Sequence, residues 1–184
     1  MPLSHNSSIK ISYPISVLRF MGIAIYGLCL SLAHAETLTG QVVKIADGDT
    51  VTVLDASRQQ HRIRLSGIDA PEGKQAFGTV SRQHLASLAF GKAVTVEWHK
   101  RDRYNRIIGK VLVDGRDVNL EQVRAGLAWH YKYYEKEQSP GERRLYSEAE
   151  EVARLDRVGL WLDPSPISPW DFRRKPRDRK SALQ

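Results

Sequence analysis

Arg62-Ile63-Arg64-Leu65-Ser66-Gly67-Ile68-Asp69-Ala70-Pro71-Glu72 is the stretch on which the architecture turns. Apolar Ile63 and Leu65 alternate with Arg62 and Arg64, the two-residue period of a strand with one face on a core and the other in water. The strand reads from Arg62 to Ile68 and runs into a turn. There Pro71 biases Ala70 toward extended backbone and stiffens the segment that carries Glu72. An arginine, an aspartate and a glutamate thus fall within the nine positions 64–72, a vocabulary suited to metals and phosphates.

Outward from this strand the pattern is first β and then α. Leu38 to Ala46, Thr50 to Asp55, Val94 to His99 and Ile107 to Val113 read as further short strands rich in Val, Ile and Thr, with Asp47-Gly48 and Asp114-Gly115 as hairpin-turn signals. Three stretches follow the helical period: Gly78 to Phe90, Asn119 to Tyr131, and Pro140 to Val158. In the second, Leu120, Val123, Leu127 and His130 recur at three and four, with Asn119 as N-cap; in the third, Ser139 and Glu142 form a capping box around Pro140. Five short strands with so few helices cannot make a covered open sheet. The economical α+β answer, mainly β, is a small closed barrel with helices at its side or end.

Alternation also places the polar residues. Asp49 shares a face with Val51 and Val53, which sets a carboxylate at the end of the barrel-facing row, where it needs a partner. Taken singly, Arg62 and Arg64 read as a solvated strand face, Asp47-Gly48-Asp49 as a plain turn, Glu72 as a loop residue beside Gly73, and Tyr104 as a half-buried strand residue. Taken together, Asp49, Asp69, Glu72, Arg64 and Arg106 can supply the needs of phosphodiester hydrolysis: charge neutralisation, an activated water and fixed geometry.

Three segments carry this set in order: Asp47-Gly48-Asp49-Thr50, Arg64 to Glu72, and Asp102-Arg103-Tyr104-Asn105-Arg106. With them the chain resembles the staphylococcal-nuclease (thermonuclease) family from about Thr37 to Leu162. The resemblance implies a five-stranded OB-type Greek-key barrel with three α-helices. It implies calcium held by Asp49, Asp69 and the main-chain oxygen of Ala70, Glu72 as general base, and Arg64 and Arg106 on the phosphate. Arg103, Tyr104 and Tyr134 become substrate contacts, although the Tyr134 assignment can slip within Tyr131-Lys132-Tyr133-Tyr134. Where the family often has Thr, this chain has Ala70; a carbonyl ligand survives that change. Only Gly73 to Phe77 separate Glu72 from the next helical pattern, shorter than the long mobile loop of the best-known family member.

The activity so implied is a calcium-dependent, sugar-nonspecific endonuclease of DNA and RNA that leaves 3′-phosphate ends, acting as a monomer without a stable protein partner. The rival is a noncatalytic OB-fold nucleic-acid or protein-binding module, which would have no need of all five charged residues.

The 184 residues make one domain with extensions. Residues 1–35 contain Lys10, Arg19 and no acid, then the apolar run Phe20 to Ala33 and Ala33-His34-Ala35, the layout of a secretory signal cleaved after Ala35. Export to periplasm or medium follows, with no membrane attachment; a buried N-terminal helix and an uncleaved anchor are the competing readings. Without this segment 26 Lys and Arg face 21 Asp and Glu, a net charge of +5 that suits a polyanionic partner. The only cysteine, Cys29, leaves with the signal. His61, His84, His99 and His130 lack zinc-site spacing and read as surface or edge residues. The nuclease-like domain is expected over residues 36–163, and residues 164–184 read as a disordered Pro/Arg-rich basic tail.

Overall fold

Residues 36–174 are described by a computed structural model. The expected export segment and the last part of the basic tail lie outside them. The strands are β1 (Glu36–Asp47), β2 (Thr50–Leu54), β3 (Gln60–Leu65), β4 (Ile68–Asp69), β5 (Ala93–Arg101), β6 (Ile107–Val113), β7 (Arg116–Asp117) and β8 (Trp129–His130). The first half of β1 pairs with β5 and its second half with β2, and register shifts at Val42/Lys44 and Ile45/Asp47 bend it between the two tasks. Around the barrel the order is β3-β2-β1-β5-β6, and parallel pairing of β3 with β6 (Ile63 with Ile107, Leu65 with Gly109) closes the ring. Closure of these five strands gives the OB-type barrel expected from the sequence.

Alternation fills it. Val42, Val51, Val53, Ile63, Leu65, Val96, Ile107 and Val111 are all buried on the inner face. The reading of Arg62 to Ile68 as one strand needs correction: β3 ends at Leu65, and Gly67, with φ 73°, turns the chain into β4, which pairs with β8 through Ile68–His130 and Asp69–Trp129.

The helices are α1 (Gly78–Ala89), α2 (Val118–Arg124), α3 (Pro140–Leu155) and the short α4 (Pro169–Arg174). Helix α3 has the expected capping box, Ser139 and Glu142 each bonding the other's backbone. Helix α2 is seven residues long rather than running to Tyr131. Gly126, φ 64°, turns the chain there, and Leu127 and Ala128 are buried as a connection into β8, so their apolar spacing reflects burial and not helix. The N-cap is Asp117, whose Oδ1 accepts from the Leu120 N–H at 3.1 Å; its Oδ2 accepts from the Tyr146 hydroxyl of α3 at 2.7 Å.

Asn119, read from sequence as the cap, is buried and joins three parts of the barrel. Its Oδ1 accepts from the Val111 N–H at 3.1 Å, while its Nδ2 donates to the carbonyls of Ser66 at 3.0 Å and Gly109 at 3.2 Å. Gln122, one turn on, donates to the carbonyls of Gly48 at 2.6 Å and Ser81 at 3.1 Å, which ties α2 and α1 to the β1–β2 turn. Gly48 itself has no room for a side chain, because a Cβ there would run into Ser81 Oγ and the Ala70 methyl. His130 is another correction: it is buried, and its Nε2 lies 2.8 Å from Gln138 Oε1.

The tail boundary also moves. Residues from Ile167 onward return to the domain: the Ile167 carbonyl accepts from Gln75 Nε2 at 2.6 Å, Ser168 precedes α4 with its Oγ 2.6 Å from Asp171 Oδ2, and Trp170 stacks on Tyr131 at 5.5 Å between ring centroids. The folded chain therefore passes Asp163 and reaches Arg174.

Asn119→Ala should strand one buried N–H and weaken the bonding of two carbonyls. A loss of about 2–3 kcal/mol in urea unfolding is expected. A loss below ~0.5 kcal/mol would mean that this network does not hold the barrel to α2.

Candidate active site

The site is built around Arg64. Its position after Ile63 in β3 sends the side chain to the outer face, where Nη1 donates to the carbonyls of Leu65 at 3.0 Å and Ile68 at 2.9 Å. The same guanidinium reaches two carboxylates, Asp49 Oδ2 at 3.0 Å and Asp69 Oδ1 at 2.8 Å. Asp49 is 6% exposed and Asp69 1%. Asp49 Oδ2 also accepts from the Ala70 N–H at 2.7 Å, and the Asp49 carbonyl accepts from the Leu65 N–H at 2.8 Å. Thus the β1–β2 turn, the end of β3 and the β4 segment converge on one cluster holding Asp49, Arg64, Asp69 and Ala70.

Glu72 stands beside it, its side chain 41% exposed and its Oε1 bonded by Arg173 Nη1 at 2.8 Å. The Glu72 N–H donates to Gln75 Oε1 at 3.2 Å, and its carbonyl accepts from the Gln75 N–H at 2.8 Å. The short 73–77 connection therefore holds Glu72 by a local turn. Arg173 comes from α4 and also grips Asp69, Nη2 to Oδ2 at 2.8 Å and Nη1 to Oδ1 at 3.3 Å. Sequence reasoning missed this residue. The only local signal for it is the cap-like Ser168-Pro169-Trp170-Asp171 that precedes it.

Arg103, Tyr104 and Arg106 form a second group on the β5–β6 turn. Asp102 organises it: Oδ1 accepts from the Tyr104 and Arg106 N–H groups at 2.9 Å each, and Oδ2 from Arg106 Nε and Nη2 at 2.7 Å each. Against the opposing effect of burial, these bonds from Arg106 and Tyr104 hold the Asp102 carboxyl below its ordinary range. Exposed Tyr104 lies under two guanidinium groups, Arg103 at 4.8 Å and Arg106 at 5.6 Å from its ring centroid. Arg106 immediately precedes Ile107, the partner of Ile63, so it leaves the barrel on the same outer side as Arg64.

Tyr134 belongs to a third group, an aromatic cluster. It meets Tyr131 edge-on at 5.3 Å and Tyr133 at 4.9 Å, with Lys100 Nζ 5.4 Å from its ring. Burial, and then the charge of Asp69, push the hydroxyl of Tyr131 up. Its N–H donates to the Gly67 carbonyl at 2.8 Å, which fixes it beside β4.

No group of three His, Cys, Asp or Glu is arranged to hold a metal among the described residues. A cation site here must draw on two carboxylates, a carbonyl, water and substrate, and that donor set fits a hard divalent ion. Asp49 argues the fit electrostatically. Burial pushes its carboxyl up to about 7, Arg64 and the Ala70 N–H pull against this, and Asp47 and Asp69 push with it. More positive charge would relieve it.

Acidic and guanidinium groups held together at the rim of an OB-type barrel are the groups that phosphodiester hydrolysis calls for, and the comparisons with known proteins put the chain in the class of nucleases. The chain belongs to the Staphylococcal nuclease homologue family, whose sequence model matches residues 62–163. It is 43% identical over 159 residues to Protein ParB of Escherichia coli, covering 82% of this chain and 86% of that one. Identity to the Micrococcal nuclease of Shigella flexneri is 42% over 156 residues, 80% of this chain and 87% of the relative. A protein of Escherichia coli named Uncharacterized endonuclease is 47% identical over 137 residues, with 74% and 85% covered.

The Asp49 carboxyl generates a pH prediction. Its folded value of about 7 lies above the unfolded value of ~3.9, so its contribution to stability is present below pH ~4 and lost as pH rises through 7. In chelator, Asp49→Asn should remove this dependence and leave the variant the more stable protein at pH 8, by roughly 2–4 kcal/mol at most. Thermal unfolding of both proteins from pH 4.5 to 8 measures it; parallel curves would show that Asp49 is not strained by burial.

Proposed function

We propose that this chain is a calcium-dependent, sugar-nonspecific endonuclease that cleaves DNA and RNA and leaves 3′-phosphate ends. The observation that carries the reading is the pair of buried carboxylates, Asp49 and Asp69, bridged by Arg64 with Glu72 alongside. A binding module has no reason to bury two acids at its rim, since each costs several kcal/mol unless matched by positive charge. Family membership supports nucleic-acid hydrolysis, and the relatives' names support an endonucleolytic cut.

Asp49, Asp69 and the Ala70 carbonyl would hold the calcium, which when bound supplies positive charge against the phosphate oxygens. The rest is work for the protein's own groups. Glu72 is exposed enough to meet a water and takes the proton as that water attacks phosphorus; the P–O5′ bond breaks, the 3′-phosphate stays with the upstream strand, and the departing 5′-oxygen takes a proton from solvent. Arg64 and Arg106, projecting from adjoining strands on the same side, give forked donors to oxygens on which charge accumulates. Arg103 and Tyr104 hold the flanking phosphate and nucleotide, and the Tyr131–Tyr134 cluster offers ring faces to bases, which suits either sugar because every base has a π-face. The basic balance of the chain assists encounter with a polyanion. Export through residues 1–35 and action as a monomer belong to the same proposal; the mass of the mature N-terminus, expected at Glu36, and the sedimentation coefficient test them.

Digestion of plasmid and of RNA in calcium against chelator tests the activity, and end-group labelling before and after phosphatase tests the 3′-phosphate. Glu72→Gln should lower turnover by roughly 10²–10⁴-fold while leaving DNA binding in place. Cleavage at the parent's rate by this variant would remove Glu72 from the reaction.

Arg106→Lys should be nearly as damaging as Arg106→Ala, because an ammonium keeps the charge without the paired parallel donors, and it also loses one of the two bonds to Asp102. Single-turnover rates compare the two. Retention of most of the rate by the Lys variant would reduce Arg106 to a point charge.

A further inference from the structure

The geometry points to Arg173 as a tethered counter-cation of the active site, which occupies Asp69 in the absence of calcium and must leave it for calcium to bind. This inference rests on the calcium reading above and adds to it a competitor built into the chain.

Asp69 has room for about four hydrogen bonds on its two oxygens. Three are taken by guanidinium groups: Arg64 Nη2 on Oδ1 at 2.8 Å, Arg173 Nη1 on Oδ1 at 3.3 Å and Arg173 Nη2 on Oδ2 at 2.8 Å. A calcium ion that uses Asp69 needs one of these oxygens with its outward lone pairs. Arg64 has backbone carbonyls of Leu65 and Ile68 to hold it in place, so it is the fixed partner. Arg173 has no such carbonyl bonds among those the structure shows; its side chain is 43% exposed and its other partner is Glu72. It is the one that can move.

The strap that delivers it is anchored independently of the carboxylates. Trp170 is stacked on Tyr131 at 5.5 Å and meets Trp129 edge-on at 5.4 Å. Gln75 Nε2 donates to the Ile167 carbonyl at 2.6 Å, while the same side chain's Oε1 accepts from the Glu72 N–H. The strap and the Glu72 turn are thereby tied to each other. A guanidinium on such a tether has a high effective concentration at the site, so it competes with calcium without help from any added ligand. Once driven off Asp69 it stays near Glu72, and the contact re-forms when calcium falls. The C-terminal strap therefore sets the calcium concentration at which the site fills.

Calorimetric calcium titration of the whole mature protein, with Arg173→Gln and Trp170→Ala beside the parent, tests this, together with thermal unfolding in chelator and in saturating calcium. Arg173→Gln should tighten calcium binding about five- to tenfold and lower the Tm in chelator, with the deficit closing in calcium. Trp170→Ala, which keeps the guanidinium but loosens its tether, should tighten binding to a smaller degree. Calcium affinity unchanged or weakened in Arg173→Gln, against a parent that binds calcium normally, would overturn the inference and leave the calcium reading standing. A parent that binds no calcium would overturn both.

Discussion

Arg64 bridges the two carboxylates that the barrel buries at its rim. Asp49 and Asp69 are taken almost wholly out of water, and two buried anions in one cluster would each cost several kcal/mol without a cation between them. The guanidinium that joins them sits on β3, the strand whose parallel pairing with β6 closes the barrel. Its own orientation is set by carbonyls at the end of that strand. Closure and site are therefore one construction: the strand that completes the hydrogen-bonded ring also carries the charge that lets acids be buried at its rim. This makes the geometry rigid where phosphoryl chemistry needs rigidity.

The same dependence explains what could be read from the chain alone. Period-two alternation gave the inner face at Val51, Val53, Ile63 and Leu65, and with it the position of Asp49, because a pleated strand leaves no choice of side. The α3 cap was legible because its signal is local, three residues long, and chemically specific. The end of α2 was not. Leu127 and His130 continue a helical spacing, yet Gly126 takes a positive φ where a Cβ would strike the Val158 carbonyl, and a contact 32 residues away leaves no trace in the local pattern. Asn119 was misread for a related reason: a polar residue at the head of a helix looks like a cap until tertiary structure supplies backbone groups for it to bond.

Arg173, which the structure brings onto Asp69 and Glu72, is the residue that no sequence pattern singled out. Asp69, Ala70 and Glu72 follow Arg64 along the chain, but Arg173 is about a hundred positions from its partners in a run whose composition suggests a solvated tail. Composition averages over Ser168 and Trp170, the cap and the stack that order the strap. The tyrosines show a third case. The run Tyr131-Lys132-Tyr133-Tyr134 announces an aromatic surface, and only pairing of β4 with β8 places Tyr131 where its N–H bonds the Gly67 carbonyl and its ring stacks on Trp170.

Charge then decides how the two polar groups divide the labour. The carboxylate cluster holds Asp49, Asp69 and Glu72 against Arg64 and Arg173, so above the Asp49 value of about 7, where all three acids are ionised, it carries one excess negative charge and attracts a cation. The β5–β6 turn holds Arg103 and Arg106 against Asp102 alone, one excess positive charge, and attracts an anion. Because Ile63 pairs with Ile107, the two groups project from neighbouring strands on one side of the barrel, a short distance apart. A phosphodiester lying across both groups would meet opposite fields at its two flanks. Neither group offers this alone; the parallel β3–β6 ladder sets them on one side of the barrel.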